Sequence, residues 1–452
     1  MRKLLPKRLR KRCLTNDVIM LFTNDERRIP NGTRQRTIRL GITLCTLTLA
    51  FATAFAQQAD SVSRWGVSLS AMKGKVVATD QYVKKWLKRG DNLSLALELM
   101  RAPLPKDSDA FAADYGNPTF AFGLRYTFNN AVRLHRDADA DWGQIVPVAY
   151  DSPLGNTLSL YTTFYRPLHR SRTWETAYSL SGGVGFSSSI YNKENAIDNE
   201  FIGSYVSIYF AAGLHQTLHL APQWGLRASL EFVHHSNGAL YRPNKGSNTV
   251  GASLALLYTP YYEQTLRAEQ TLRKKPFERG MYLNFTAGFG AKTLLEDWLL
   301  TQFGTPPGHP DYRTEHFRIY PAYSIQADLM WRYARRWSSG LGVDAFYGTY
   351  ARRIEELDQQ AGSTLRHSPF SLGLAAKHEA HYGRLSLAVS LGVYLYRRMG
   401  ANAKINETPY YERIGLHYAL PWLNGLTVGV NVKAHKTKAD LTELVVGMPI
   451  RL

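Results

Sequence analysis

Covalent cross-links are nearly absent from this chain. Its 452 residues include two cysteines, Cys13 and Cys45, both within the first 56 positions. The chain beyond Ala56 must therefore be held by a packed core or a closed hydrogen-bonded sheet, with no disulfide to help. No apolar stretch there approaches the roughly 18 residues a membrane helix requires. Acidic residues are also scarce, with 36 Asp and Glu against 55 Lys and Arg and a net charge of +19. Residues 1–56 contain 12 of those bases and 3 of the acids, so the remainder carries a surplus of +10. That surplus favours an anionic partner. No nucleic-acid-binding motif accompanies it, which leaves an anionic membrane surface as the expected partner and no nucleic acid.

An exported chain is expected from "LGITLCTLTLAFATAFA", residues 40–56. Arg34, Arg36 and Arg39 precede this run, and Ala54-Phe55-Ala56 ends it in the A-x-A pattern of a secretory signal. Leu44 is not the small residue a lipoprotein signal carries before its cysteine, so Cys45 is not read as a lipid attachment point. The charged preamble is long enough to make Met20 a candidate start. Residues 1–56 are expected to be removed.

Period-two alternation replaces long apolar runs. In "RLSLAVSLGVYLYRR" the positions Leu385, Leu387, Val389, Leu391, Val393 and Leu395 are apolar. Between them stand Ser386, Ala388, Ser390, Gly392 and Tyr394. The same split separates Phe120, Phe122, Leu124 and Tyr126 from Ala121, Gly123, Arg125 and Thr127, and Leu426, Val428, Val430 and Val432 from Thr427, Gly429, Asn431 and Lys433. Segments of about ten residues, with 27 tyrosines and 9 tryptophans available for their ends, are the signature of a transmembrane antiparallel β-barrel. Arg125, Arg227, Glu231 and Lys433 on the alternate face suit a wet or salt-bridged lumen. Fourteen to sixteen such segments fit between Val62 and Leu452, eight of them before Pro260. "YYEQTLRAEQTLRKKPFERG", residues 261–280, then forms a basic link to the segments of 281–452. Either one large ring or two eight-stranded rings satisfy this count. A single barrel of about 12–16 strands is the expectation, because closing one sheet removes its edges without a second return of the chain. Leu452 departs from the aromatic end usual in bacterial outer-membrane barrels.

"EFVHHSNGALYRPNKGSNTVGASLALLY", residues 231–258, breaks the pattern. Along this segment Trp224, Leu226, Ala228, Leu230 and Phe232 form the outward set. Extending the parity places His234 and Ser236 outward and His235 inward. In the next run Asn248 shares the outward parity of Val250, Ala252 and Leu254. Residues two apart on a strand lie about 6.6 Å apart with parallel side chains, so His234 is placed to act as general base for a Ser236 nucleophile. Asn248 would hold the imidazole tautomer, and the N–H groups of Asn237 and Gly238 would form an oxyanion hole. Turn chemistry alone also favours Ser, Asn and Gly here, but outward polar groups in a lipid belt are costly without a function. If the first strand rises from the periplasm, so does the seventh, and the hairpin faces the outer leaflet.

The string His234-His235-Ser236-Asn237, with Pro243-Asn244-Lys245-Gly246 and a polar residue at 248, resembles the lipid A 3-O-deacylase family of outer-membrane barrels. The resemblance implies an ester hydrolase with Ser236 as nucleophile and His234 as base, in the outer membrane of a Gram-negative bacterium; no metal-ligand cluster or phosphate loop appears in the sequence, so no cofactor and no metal is expected. The family's third triad member is a glutamate where this chain has Asn248. A triad ending in asparagine resembles outer-membrane phospholipase A instead, so the expected substrate is lipid A, with phospholipid as the alternative. Arg242, Asn244 and Lys245 are candidate substrate contacts, the two cations for phosphate. A third reading is a porin or structural barrel without chemistry. Weaker groups are "HEAHYGR" around His378 and His381, whose histidines face opposite sides of a strand, the acids from Asp137, and Asp297 with Trp298 in an expected long loop.

Overall fold

The computed structural model describes residues 63–103, 107, 109–138, 149–271 and 274–452; the expected signal segment lies outside them. The strands of the first half are β1 (Trp65–Val76), β2 (Leu87–Arg89), β3 (Asp91–Arg101), β4 (Thr119–Phe128), β5 (Arg133–Arg136), β6 (Tyr150–Ser152), β7 (Thr157–Arg170), β8 (Trp174–Ser187), β9 (Val206–Ala221), β10 (Trp224–Ser236) and β11 (Ser247–Tyr258). Those of the second half are β12 (Gly280–Lys292), β13 (Tyr320–Ala334), β14 (Trp337–Gly348), β15 (Phe370–Tyr382), β16 (Leu385–Arg397), β17 (Tyr410–Ala419), β18 (Thr427–His435) and β19 (Lys438–Arg451). All pair antiparallel.

The class is the expected one, but the single ring is not. β1, β3, β4 and β7–β11 close one eight-stranded barrel, and β12–β19 close a second. In the first, β11 returns to β1 over a ladder from Val67 opposite Tyr258 to Val76 opposite Thr249. In the second, β19 returns to β12, with Leu283 opposite Ile450. One returning ladder per ring satisfies both sheet edges, so tandem closure carries no edge penalty. Eight strands also leave an interior just wide enough for side chains to fill.

The alternation sorts the faces as expected. Leu230 (66% exposed), Leu214 (61%) and Leu341 (71%) stand outward on the apolar belt. Inside the first barrel Arg125 pairs with Glu231, while Tyr161 and Tyr165 donate to Glu98 at 3.2 and 2.8 Å. In the second barrel Asp344 receives Lys377 at 2.7 Å, Arg413 at 3.1 Å and Tyr411 at 2.7 Å. These networks plug the lumens. Removing one member strands a buried charge at about 3–5 kcal/mol, which gives the inward charges a structural account. His378 and His381 are absorbed the same way: His378 Nδ1 meets Ser339 Oγ at 2.9 Å, and His381 lies between Ser338 and Ser386 at 2.7 Å each.

The barrels touch at both ends. At one end Tyr382 donates to Asp109 at 2.6 Å and Tyr115 donates to the His381 carbonyl at 3.0 Å. At the other, Tyr191 packs edge-on against Trp298 at 4.8 Å and donates to the Arg313 carbonyl at 3.2 Å. The segment expected as a loop around Asp297 and Trp298 is instead a helix, Leu295–Leu299, continued by a π-turn to Gly304. Trp298 is buried there, and the apolar contact with Tyr191 is what orders it.

At this same end a small cap sits over the first barrel. Val76, Val83, Trp86, Leu134, Phe201 and Ile202 form its core. β2, β5 and β6 form a three-stranded sheet beside it, and Asp80 caps the helix Gln81–Trp86 by accepting from the Val83 N–H at 2.8 Å.

Candidate active site

β10 runs from Gly225 to Ser236 without a register break against β9, so its parity survives to the last residue. His235 points inward, bonded to Ser159 Oγ at 2.9 Å and edge-on to Tyr209. His234 and Ser236 lie on the opposite side of β10 by parity, where Ser236 and Asn248 are buried, at 8% and 9% exposure. The β10–β11 ladder sets His234 directly opposite Asn248, and the His234 Nδ1 to Asn248 Oδ1 distance is 2.8 Å. An amide oxygen only accepts, so Nδ1 carries the proton and Nε2 holds the lone pair. The Asn248 amide nitrogen donates to the Gly246 carbonyl at 3.5 Å, which fixes that amide orientation.

Ser236 Oγ accepts from Asn244 Nδ2 at 3.0 Å and from the Gly238 N–H at 3.2 Å. Among the described contacts no hydrogen bond joins Ser236 to His234, so rotation of the serine side chain would be required for proton transfer. The Asn237 N–H is engaged by Asn244 Oδ1 at 3.2 Å. Donors at the hydroxyl are therefore Gly238 and the Asn244 amide.

The Pro243-Asn244-Lys245-Gly246 loop supplies this second donor. The Lys245 and Gly246 N–H groups bond the Glu200 and Phe201 carbonyls of the cap at 3.1 and 3.2 Å. Lys245 Nζ lies 3.5 Å from Asp80 and 4.8 Å from the Tyr82 ring centre, so its charge anchors the loop. Arg242 Nε donates to the Thr293 carbonyl at 3.3 Å. Gly246 has φ 72°, and a Cβ there would lie 2.8 Å from His234 Cε1; the turn needs glycine for both reasons. The sequence motif contains Asn244 and Gly246 without revealing their contacts, because a turn's geometry is not encoded in alternation.

The cap that carries this loop contains a perturbed acid. Burial raises the Asp198 carboxyl to about 6, against the opposing pull of Arg136. Its ordinary value is about 3.9, so the folded cap takes up a proton that the unfolded chain has released. Cap stability is then full below about pH 4 and falls as pH rises through 6. Hydrogen exchange of the Ile197–Gly203 amides should quicken across that window, and Asp198→Asn should flatten the change.

Elsewhere, Glu407, His435 and Asp440 bring three potential ligand atoms within 4.8 Å. Lys292 and Lys433 already bond both Asp440 oxygens, and Arg397 holds Glu407 at 2.5 Å. Those cations neutralise the group without a metal ion. Asp137 pairs with Lys88 at 3.0 Å; the acids after it lie outside the described residues.

Fold and site together define an outer-membrane type of β-barrel with a histidine, serine and amide group. Residues 120–256 match the family model for lipid A 3-O-deacylase (PagL), and residues 281–452 match that for the acyloxyacyl hydrolase C-terminal domain. The first barrel is thus similar to lipid A 3-O-deacylase and the second to the acyloxyacyl hydrolase C-terminal domain. Among solved structures, the outer membrane enzyme PagL aligns at 17% identity, covering 42% of this chain and 98% of its own, with a TM-score of 0.26. Neisserial surface protein A aligns at 10% identity over 44% of this chain and 99% of its own, TM-score 0.27. A mutant of the Rh. blastica porin aligns at 9% over 85% and 99%, TM-score 0.15. No curated protein matches the chain.

Proposed function

We propose that this protein is a serine esterase of the Gram-negative outer membrane that removes an ester-linked acyl chain from lipid A. The observation that carries the reading is the His234–Asn248 bond of 2.8 Å, which leaves the Nε2 lone pair free to act as base once the Ser236 side chain rotates toward it. Ser236 Oγ attacks the acyl carbonyl and passes its proton to His234 Nε2. The carbonyl oxygen gains negative charge where the Gly238 N–H and the Asn244 amide can receive it. Collapse breaks the ester, His234 returns the proton to the departing sugar hydroxyl, and an acyl-serine remains. Water, deprotonated by His234, then hydrolyses that ester and frees the fatty acid. Asn248 orients the ring throughout.

Both loop cations are engaged within the fold, Lys245 with Asp80 and Arg242 Nε with the Thr293 carbonyl, and both remain candidates for a substrate phosphate. The neutral Asn248 favours one second reading, glycerophospholipid as substrate. Mass spectrometry of lipid A and phospholipids from cells with the wild type or Ser236→Ala separates the two. Loss of one acyl chain from lipid A supports the deacylase, and lysophospholipid moves the assignment. No change in either lipid removes the esterase reading.

A smaller prediction concerns the loop. Gly246→Ala pushes a methyl into the His234 ring and should lower acyl release about tenfold to a hundredfold. The folded barrel should keep its heat-modifiable gel migration; unchanged activity would mean the imidazole position is not critical.

A further inference from the structure

The turn after Ser236 does not stand free on the first barrel. Its Gly238 carbonyl accepts from Thr442 Oγ1 at 2.7 Å, a residue of β19. The next carbonyl, of Ala239, accepts from the Thr293 N–H at 2.9 Å and its hydroxyl at 3.1 Å. Arg242 Nε returns a bond to the Thr293 carbonyl at 3.3 Å. Thr293 immediately succeeds β12, the strand that pairs with β19, so one corner of the second barrel grips three residues of the nucleophile loop.

That grip acts on backbone with little stiffness of its own. Gly238 and Ala239 both have positive φ, 63° and 74°, the second unusual for a residue with a side chain. Glycine at 238 lets the peptides on either side rotate readily, and one of them carries the N–H that meets Ser236 Oγ. The approach is also close: a Cβ at position 238 would lie 2.0 Å from Thr442 Oγ1. Glycine there gives Thr442 access to the carbonyl while keeping the N–H aimed at the serine. Ala239 is fully buried, so water cannot replace the two Thr293 bonds.

We propose that the second barrel is a positioning element for the serine in the first, with Thr442 and Thr293 holding the turn that presents the Gly238 N–H to the reacting carbonyl. This rests on the esterase reading of the site. Neither threonine touches the substrate; each acts through the turn. The arrangement gives the second eight strands a task in catalysis that a lone barrel must manage with its own loop.

The test uses the full-length protein in detergent with purified lipid A, measuring kcat, KM and thermal unfolding. Thr442→Val keeps the shape and removes the hydroxyl; kcat should fall about tenfold to a hundredfold, with KM within about twofold and the unfolding midpoint unchanged. Thr442→Ser restores the donor and should recover the wild-type kcat. Wild-type kcat in Thr442→Val overturns the proposal, as does a Thr442→Ser variant as slow as the valine. Should Thr442→Val fail to fold, Thr442→Ser together with Thr293→Ala, which loses only one of two donors to Ala239, decides the matter: a normal serine variant with a slowed Thr293→Ala supports the proposal, and any other pattern overturns it. Ser236→Ala run in parallel keeps the two ideas apart. If it still releases acyl chains, the esterase reading itself fails; if it is inactive while Thr442→Val is normal, only the positioning role does.

Discussion

Ser236→Ala should reduce acyl release from lipid A by about 10⁴-fold or more, to a residue supplied by oxyanion donors and substrate placement alone. The size comes from the role: without Oγ no acyl-enzyme forms at this position. The fold should hardly notice. Ser236 contributes two bonds with the Asn244 amide and one with Gly238, each worth about 1 kcal/mol net, against a ladder of paired strands that remains intact. Purified variant and wild type should therefore show the same heat-modifiable migration and differ only in the fatty acid released. A variant retaining more than a few per cent of the wild-type rate would place the nucleophile elsewhere.

The outward parity of that serine is legible in the sequence alone. Alternation from Trp224 to Phe232 fixes which residues face lipid, and a two-residue period carries the assignment two steps further as long as no bulge intervenes; none does after Gly225. The same rule separates His235 from His234. The number of rings is not legible, because closure depends on β11 meeting β1 nearly 200 residues back, and alternation is silent about partners. The same limit hides Thr442, which lies 204 residues beyond the glycine it holds. Asn244 stands in the motif as a candidate substrate contact; only the turn shows its amide against Ser236. Trp298 departs from expectation for a different reason, since apolar burial against Tyr191 turns an expected loop into helix.

His234→Ala should be nearly as damaging as loss of the serine, lowering the rate about 10³- to 10⁴-fold, because Ser236 then has no group to accept its proton. Asn248 should tell a finer story. Its Oδ1 holds the Nδ1 proton in place, so Asn248→Leu leaves the ring free to adopt the other tautomer, and the rate should fall about 10- to 100-fold. Asn248→Asp keeps an acceptor at the same position and adds charge that favours the imidazolium formed during attack. That variant should retain activity at or above the wild-type rate near neutral pH. The ordering His234→Ala, Asn248→Leu, Asn248→Asp, from slowest to fastest, is what a base oriented by its cross-strand partner requires. Equal rates for Asn248→Leu and wild type would show that the amide only packs against the ring, and would leave His234 and Ser236 to work without a third member.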